Sequence, residues 1–446
     1  MTIDSFITLI ALVLAIDVII LLFWWRKEKG GRISQGKKLE LLLIILFFAF
    51  FFSLFTFSFS FPQRTLVRWV FLIGISGFLL LIRLKKPIHL TLTLSSASVW
   101  LFVLWCYLSG TLGVTPKESL ARATSFAILT LLSFHLLPTL FSGRRVLFAA
   151  VRSYFALGII ILLVSGVFFI LSPGSVFIGK RFSGILLNPN TFGSLAAGLI
   201  IISLFRLFYG GKGRYYYLPL AGLLSYLLLI SLSRASYLAT TVGSLSLLWL
   251  IRRRNLLFYS TLVLVVFLSS YFIISGNLPP LNLDYYLRLS RTDLTTGRIA
   301  IWAHIIQAWK ERPWFGVGLG GSAPDEVLTG GRRLGGLSAY FALLGETGII
   351  GLSLFLFFLA VSLYLLYLLR LRAIALSDSQ LAGYSSVSIA LILAYSANSL
   401  FEGYFASVGT PITLLFFILA GAGGRAFYEL KGGREGEIYL KEGEKG

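Results

Sequence analysis

The sequence is poor in the residues that usually carry chemistry: one cysteine, one methionine and three histidines in 446 residues, with only 13% charged. A single cysteine, Cys106 in an apolar run, excludes both a disulfide framework and a thiolate metal site. His89, His135 and His304 are too dispersed to suggest an imidazole cluster, so neither a metal nor a cofactor is expected. Acidic residues are scarce too, 18 Asp and Glu against 39 Lys and Arg. In a soluble chain that excess would suggest nucleic acid. Here 57% of residues are hydrophobic and the mean hydropathy is +0.87, far too apolar for a soluble globular protein. The reading is therefore a polytopic membrane protein with cationic loops in the cytoplasm and no nucleic-acid partner.

What is abundant is long apolar runs. A membrane helix needs ~20 mostly apolar residues. Such runs fall near 4–25, 39–61, 66–82, 90–109, 124–141, 146–172, 192–209, 216–232, 236–251, 255–275, 347–369, 383–405 and 410–422, the last of them either short or paired with its neighbour. They predict an all-α fold of about 12–13 transmembrane helices. The first run follows an acidic start and precedes "RKEKGGRISQGKK", the order of a first membrane helix and not of a cleavable signal peptide. Alternate connections are basic: "RLKK" at Arg83, "GRR" at Gly143, "GGKGR" at Gly210, "RRR" at Arg252 and "RLR" at Arg370. The positive-inside rule places these in the cytoplasm. Outward then face 62–65, 110–123, 173–191, the Ser233–Arg234 junction, 276–346 and the turn near Gly409. The chain divides into N-terminal membrane helices (1–275), a large outer loop (276–346), C-terminal membrane helices (347–424) and a cytoplasmic tail (425–446).

Polar residues collect on the outer face. In "TTGRIAIWAHIIQAWKER" Ile299, Trp302, Ile305, Ile306 and Trp309 recur at helical spacing, predicting a helix that lies at the membrane surface or packs on the bundle. Pro313 ends it, and "WFGVGLGG" follows. Gly316, Gly318 and Gly321 have the G-x-G-x-x-G spacing of a dinucleotide loop, but no strand precedes them and no βαβ unit surrounds them. They read instead as a sharp turn, the hinge of an outer cover. Lys180 and Arg181 in "GKRFSGILLNPNTFGS", Arg234 in "SLSRAS" and Arg298 come from separate segments yet fall on one face of the membrane. One such arginine would be read as snorkelling. Several together suggest a cavity for a membrane-bound phosphate or pyrophosphate, whose oxygens the guanidinium fork suits. Outward carboxylates are Glu118, Asp284, Asp293, Glu311, Asp325, Glu326, Glu346 and Glu402. Glu402, in "NSLFEGYFAS", and Glu346 each need a partner, and each could pair with an arginine or serve as a base.

Five stretches, "RFSGILLNPNTFG", "SLSRAS", "TTGRIAIWAHIIQAWKERPWFGVGLGG", "AYFALLGETGIIGLSLF" and "NSLFEGYF", stand in the order and rough spacing of the O-antigen ligase and O-antigen polymerase family. The chain resembles that family over roughly residues 170–425. The resemblance implies a multi-helix, GT-C-like glycosyltransferase of the bacterial inner membrane, inverting, with a large periplasmic loop and the active site facing the periplasm. It implies a donor glycan on undecaprenyl pyrophosphate. The acceptor is lipid A-core in ligases and another lipid-linked glycan in polymerases. The family's pyrophosphate-holding arginines carry over to Arg181 and Arg234, and to Arg298, with Lys180 alongside. One departure stands out. Many members carry His-Asn before the "E-x-G-I-I-G" segment, and that position is Leu337 here, followed by Ser338. Leucine accepts no proton, so either another group does this work, with Glu402, Asp325 and then His304 ranked ahead of Glu346 and Glu326, or base catalysis contributes little, or the chain is a diverged member with altered chemistry. A transporter of lipid-linked sugars is the competing class; it calls for an internal repeat and a midplane charge cluster, of which Asp17 is the main trace. A scaffold would leave the outer arginines unexplained.

Overall fold

The computed structural model describes residues 93–211, 213–251, 298–321 and 338–443, with side chains to Gly432 and a few isolated earlier positions. The expected spans near 4–25, 39–61, 66–82 and 255–275 lie outside these residues, as do Asp325 and Leu337. The described chain is helical: α1 (Leu94–Thr111), α2 (Pro116–Phe141), α3 (Gly143–Leu171), α4 (Pro189–Tyr209), α5 (Tyr217–Ser231), α6 (Arg234–Leu250), α7 (Arg298–Glu311), α8 (Ala339–Ala375), α9 (Ser379–Asn398) and α10 (Pro411–Gly443). Among the described residues, seven helices are long and apolar enough to cross a membrane: α1 to α4, α8, α9 and α10 as far as Gly432. This is the all-α polytopic membrane fold that the apolar runs predict.

Several boundaries differ from the sequence reading, each for a local reason. The connection expected at 110–123 is mostly helix, because Pro116 at the first helical position and Glu118 in the first turn start α2 early. Within α2, Leu131–Leu136 widen into a π-helical turn just before Pro138, which has no N–H to continue the regular ladder. The run at 383–405 stops at Asn398, and Glu402 therefore sits in a loop. The last helix is long, not short, and carries the expected tail with it to Gly443. The stripe of the outer helix also turns: Ile301 and Ile305 are buried, whereas Ile299 is 61% exposed, and Trp302 stacks on Phe341 of α8. α7 thus packs on the bundle.

Caps fix where the helices begin. Asn188 precedes Pro189 and accepts from the Asn190 N–H (2.8 Å), Asp378 accepts from Leu381 (3.0 Å), and Thr93 with Ser96 forms a capping box. The basic connections meet at one end of the bundle. There Arg144 pairs with Asp378 at 2.5 Å, the Gly143 N–H donates to Glu429, and Arg370 donates to the Leu250 carbonyl. The Arg181 hairpin, β1 (Phe177–Ile178) with β2 (Arg181–Phe182), lies at the other end, with the α5–α6 junction and the loop after α9.

α8 is broken near its start. Gly348 adopts φ 69°, ψ −175°, which interrupts the helical ladder and frees the carbonyls before it. The glycine-rich segment takes them: Val317 N donates to Gly345 O (3.0 Å) and Gly318 N to Glu346 O (2.9 Å), while Ile349 N donates back to Pro313 O (2.9 Å). From α1, Trp105 donates to Thr347 O (2.8 Å) and stacks on Phe315, and Ser109 donates to Phe315 O (2.7 Å). The glycines do permit close backbone approach, since a Cβ on Gly316 would lie 2.4 Å from the Glu346 carbonyl carbon. The segment is a clasp and not the hinge the sequence suggests. A Cβ on Gly348 would meet the Trp314 carbonyl at 2.2 Å in a backbone region closed to other residues. Gly348→Ala is expected to cost at least ~1–3 kcal/mol, seen as a lower unfolding midpoint of the purified membrane protein; an unchanged midpoint would show that the clasp does not hold this turn.

Candidate functional site

The α5–α6 junction is unusually tight. Leu232 takes a left-handed conformation (φ 53°), which ends α5, and Ser233 starts α6 with Arg234 as its first residue. The carbonyls left at the end of α5 need donors. Arg181, delivered by the β hairpin, supplies them: its Nε donates to Ser231 O (3.0 Å) and its Nη2 to Leu232 O (3.4 Å). Arg234 follows Leu232 by two residues, so its backbone lies within ~7 Å of the carbonyl that Arg181 holds.

Arg181 Nη2 also donates to the side-chain oxygen of Asn190, in the first turn of α4. The amide of Asn190 donates in turn to Glu402 Oε1 (2.9 Å). Arg298, the first residue of α7, reaches the same oxygen at 3.1 Å and donates to the Phe401 carbonyl through its other terminal nitrogen. One carboxylate oxygen thus joins three segments that are far apart in the chain, at 190, 298 and 402, and through Asn190 it is linked to Arg181. The Glu402 side chain is only 11% exposed and that of Arg298 16%, so this pair is largely out of water. Burial pushes the Glu402 carboxyl above the ordinary carboxylate range, while Arg298 and then Arg181 draw it back toward ionisation.

Beneath this layer runs a chain of buried hydroxyls. Ser194 donates to the Asn190 carbonyl (2.8 Å) and meets Tyr404 Oη (3.0 Å) and Ser236 Oγ (3.3 Å), and it accepts from Asn398 (2.9 Å). Tyr395 reaches the Ser194 carbonyl and pairs with Tyr154 Oη at 2.8 Å. Gly198 leaves the room for that tyrosine pair, since a Cβ there would meet Tyr395 Oη at 2.1 Å.

Of the residues singled out from sequence, Arg181, Arg298 and Glu402 come together, with Arg234 at the same junction. Lys180 is exposed at the hairpin turn beside Arg181. His304 does not join them: six residues beyond Arg298, it sits ~9 Å farther along α7 and about 120° around it. Among the described residues it makes no hydrogen bond or ion pair, and its side chain is half-buried. Glu346 belongs to the clasp through its backbone carbonyl, and Glu118 and Glu311 are exposed. Sequence reasoning missed Asn190, whose "NPN" setting reads as a turn. The available signal was a second amide just inside a proline-started apolar helix.

Asn190 uses both ends of its amide, accepting from Arg181 and donating to Glu402. Asn190→Ala is expected to cost about 1–3 kcal/mol of stability by stripping a donor from a buried carboxylate. Asn190→Asp is expected to cost more, because it sets a second carboxylate against Glu402. Thermal unfolding of the two purified variants checks the order.

No curated protein matches the chain. A family model described as O-Antigen ligase matches residues 219–356. The matched stretch contains Arg234 and Arg298 but neither Arg181, Asn190 nor Glu402, so the cluster is built from both inside and outside it. Over those residues the chain is similar to the O-antigen ligase family, whose members are glycan-transferring enzymes.

Proposed function

We propose that the chain is an inverting glycosyltransferase that moves a glycan from undecaprenyl pyrophosphate to an acceptor at the periplasmic face of the bacterial inner membrane. In this reading it acts as an O-antigen ligase with lipid A-core as acceptor. The observation that carries the proposal is the meeting of Arg181, Arg298 and Glu402 through Asn190, beside Arg234, at the bundle end opposite the basic connections. Departure of a lipid pyrophosphate from the anomeric carbon develops negative charge on the leaving oxygens. Fixed guanidinium groups stabilise that charge without reorganising during the reaction. Arg181 and Arg234, flanked by Lys180 and Arg298, take this part. The same cations make a metal unnecessary, so a chelator is expected to leave transfer unchanged in purified membranes.

The acceptor hydroxyl must lose a proton as it attacks, and the family's histidine is Leu337 here. We assign that proton to Glu402, ahead of Asp325 and His304, because its burial raises the carboxyl's proton affinity toward that of a working base. A base acts when ionised, so activity rises with pH as Glu402 loses its proton, and the rise lies above the ordinary carboxylate range. Repeat-unit polymerisation uses the same donor and the same cations and is the second reading.

Arg181→Ala and Arg234→Ala are each expected to lower glycan transfer by ~10²-fold or more while the protein still inserts; full activity in both would overturn the assignment. Glu402→Gln is expected to lose ~10²- to 10⁴-fold and to flatten the rise of rate with pH, whereas a role confined to holding arginines would leave the slope intact. The lipopolysaccharide ladder of a deletion strain separates the two readings. Loss of all glycan on lipid A-core identifies a ligase, and one repeat unit left on the core identifies a polymerase.

A further inference from the structure

Glu402 is held by the same cations that a pyrophosphate would engage, so acid and substrate act on one set of charges. Both terminal nitrogens of Arg298 are turned into the loop after α9, Nη2 to Glu402 Oε1 at 3.1 Å and Nη1 to the Phe401 carbonyl. Arg181 is joined to that oxygen through the Asn190 amide, which accepts from the one and donates to the other. With the Glu402 side chain 11% exposed and that of Arg298 16%, little water is present to screen a change in charge.

The groups that face Glu402 come from several elements. α7 brings Arg298, the β hairpin Arg181 and α4 Asn190, and Arg234 stands at the start of α6. α8 contributes a backbone donor, Ala339 N to Glu402 O at 3.1 Å, and Tyr340, whose hydroxyl donates to Ser396 O. Tyr404, two residues on, meets Ser194, and burial pushes its phenol above the ordinary phenol range. Guanidinium and ammonium groups stay charged and phenols stay neutral below about pH 9. Among the described residues of the cluster, Glu402 is therefore the one that changes charge.

An anion arriving here acts on Glu402 in one direction. If it takes an N–H of Arg298, the carboxylate loses a partner; if it only approaches, it adds like charge. Each raises the affinity of the carboxyl for a proton, in the same sense as burial and against the pull of the arginines. One full negative charge ~8 Å away, at the effective dielectric constant of a largely buried site, multiplies that affinity roughly tenfold or more.

We propose that donor binding and protonation of Glu402 are linked: the pyrophosphate neutralises Arg298 and Arg181, and the carboxylate they leave uncompensated binds a proton from water more tightly. This rests on the reading that these arginines hold the donor. Its consequence is that the base gains strength when there is a donor to be attacked. The test is calorimetric titration of the purified full-length chain in detergent with farnesyl pyrophosphate, in two buffers of different ionisation enthalpy, repeated between about pH 5 and 8. The difference in heat between the buffers counts the protons taken up. The wild type is expected to take up about half a proton more than Glu402→Gln, a comparison that cancels the ionisation of the probe itself. Because the bound state holds the additional proton, wild-type affinity falls relative to that of Glu402→Gln as pH rises.

An imidazole changes charge in the same range, so His304→Gln is the second variant. Uptake equal to the wild type in His304→Gln supports the linkage and carries the test if Glu402→Gln fails to fold; uptake lost there overturns the assignment to Glu402. Binding that is weakened in Arg181→Ala, with equal uptake in the wild type and in Glu402→Gln, overturns the linkage and leaves the glycosyltransferase reading in place. Absence of binding, or binding indifferent to Arg181→Ala, overturns the arginine site and the linkage with it.

Discussion

A carboxylate buried in an apolar bundle has to be answered by donors, and Glu402 organises its end of the molecule around that requirement. Its Oε1 takes one bond from Arg298 and one from Asn190, and Asn190 passes the connection to Arg181. Arg181 then closes the end of α5, which sets where Arg234 begins α6. Four chain segments are registered against one another by a few charge-assisted contacts. The arrangement answers two needs at once: the acid is neutralised locally, and cations are held at fixed positions before any substrate arrives. For a reaction whose difficulty lies in charge building on a leaving group, cations fixed in advance are of more use than cations recruited during the step.

The clasp supports this cluster from the side. α7 presents Arg298 at its first residue, and the segment following α7 is tied to α1 and to the break in α8. Because Gly348 interrupts the ladder, the carbonyls of 345 and 346 become acceptors for the glycine-rich turn and that of 347 for Trp105 of α1, and α8 trades internal bonds for connections to its neighbours. The outer helix is thereby anchored at both ends, by Arg298 and by the turn after Pro313.

Much of this was legible in the sequence, for identifiable reasons. An arginine between apolar runs is so expensive that its presence is informative, which is how Arg234 stood out, while Arg181 stood out beside Lys180 in an outward connection and scarcity of acids drew attention to Glu402. Asn190 did not stand out, because asparagine beside proline is ordinary turn chemistry and its contact to Glu402 spans 212 positions. The start of α2 was missed because Pro116, Lys117 and Glu118 are polar, although proline followed by an acid is a helix-start pattern. Arg144 was read, within "GRR", as part of the topological charge bias, and Arg152 and Arg206 lie inside predicted apolar runs, so nothing in the pattern showed that the three share two rings, those of Phe148 and Tyr384. The break at Gly348 was hidden inside an unbroken apolar run, where hydropathy carries no information about backbone direction.

Apolar packing among membrane helices is permissive: one leucine face fits another almost as well after a helix is turned by a residue, since lipid is as apolar as the neighbour. The tyrosine pair described above removes that freedom. Tyr154 on α3 and Tyr395 on α9 satisfy each other only when both helices present those faces, and Gly198 on α4 admits them only when its own face is aligned too. A turn of any one helix by a single residue, about 100°, would strand two phenols in hydrocarbon. The pair therefore sets the angular phase of three helices and, through Ser194 and Asn190, the azimuth at which the arginine cluster meets the membrane surface.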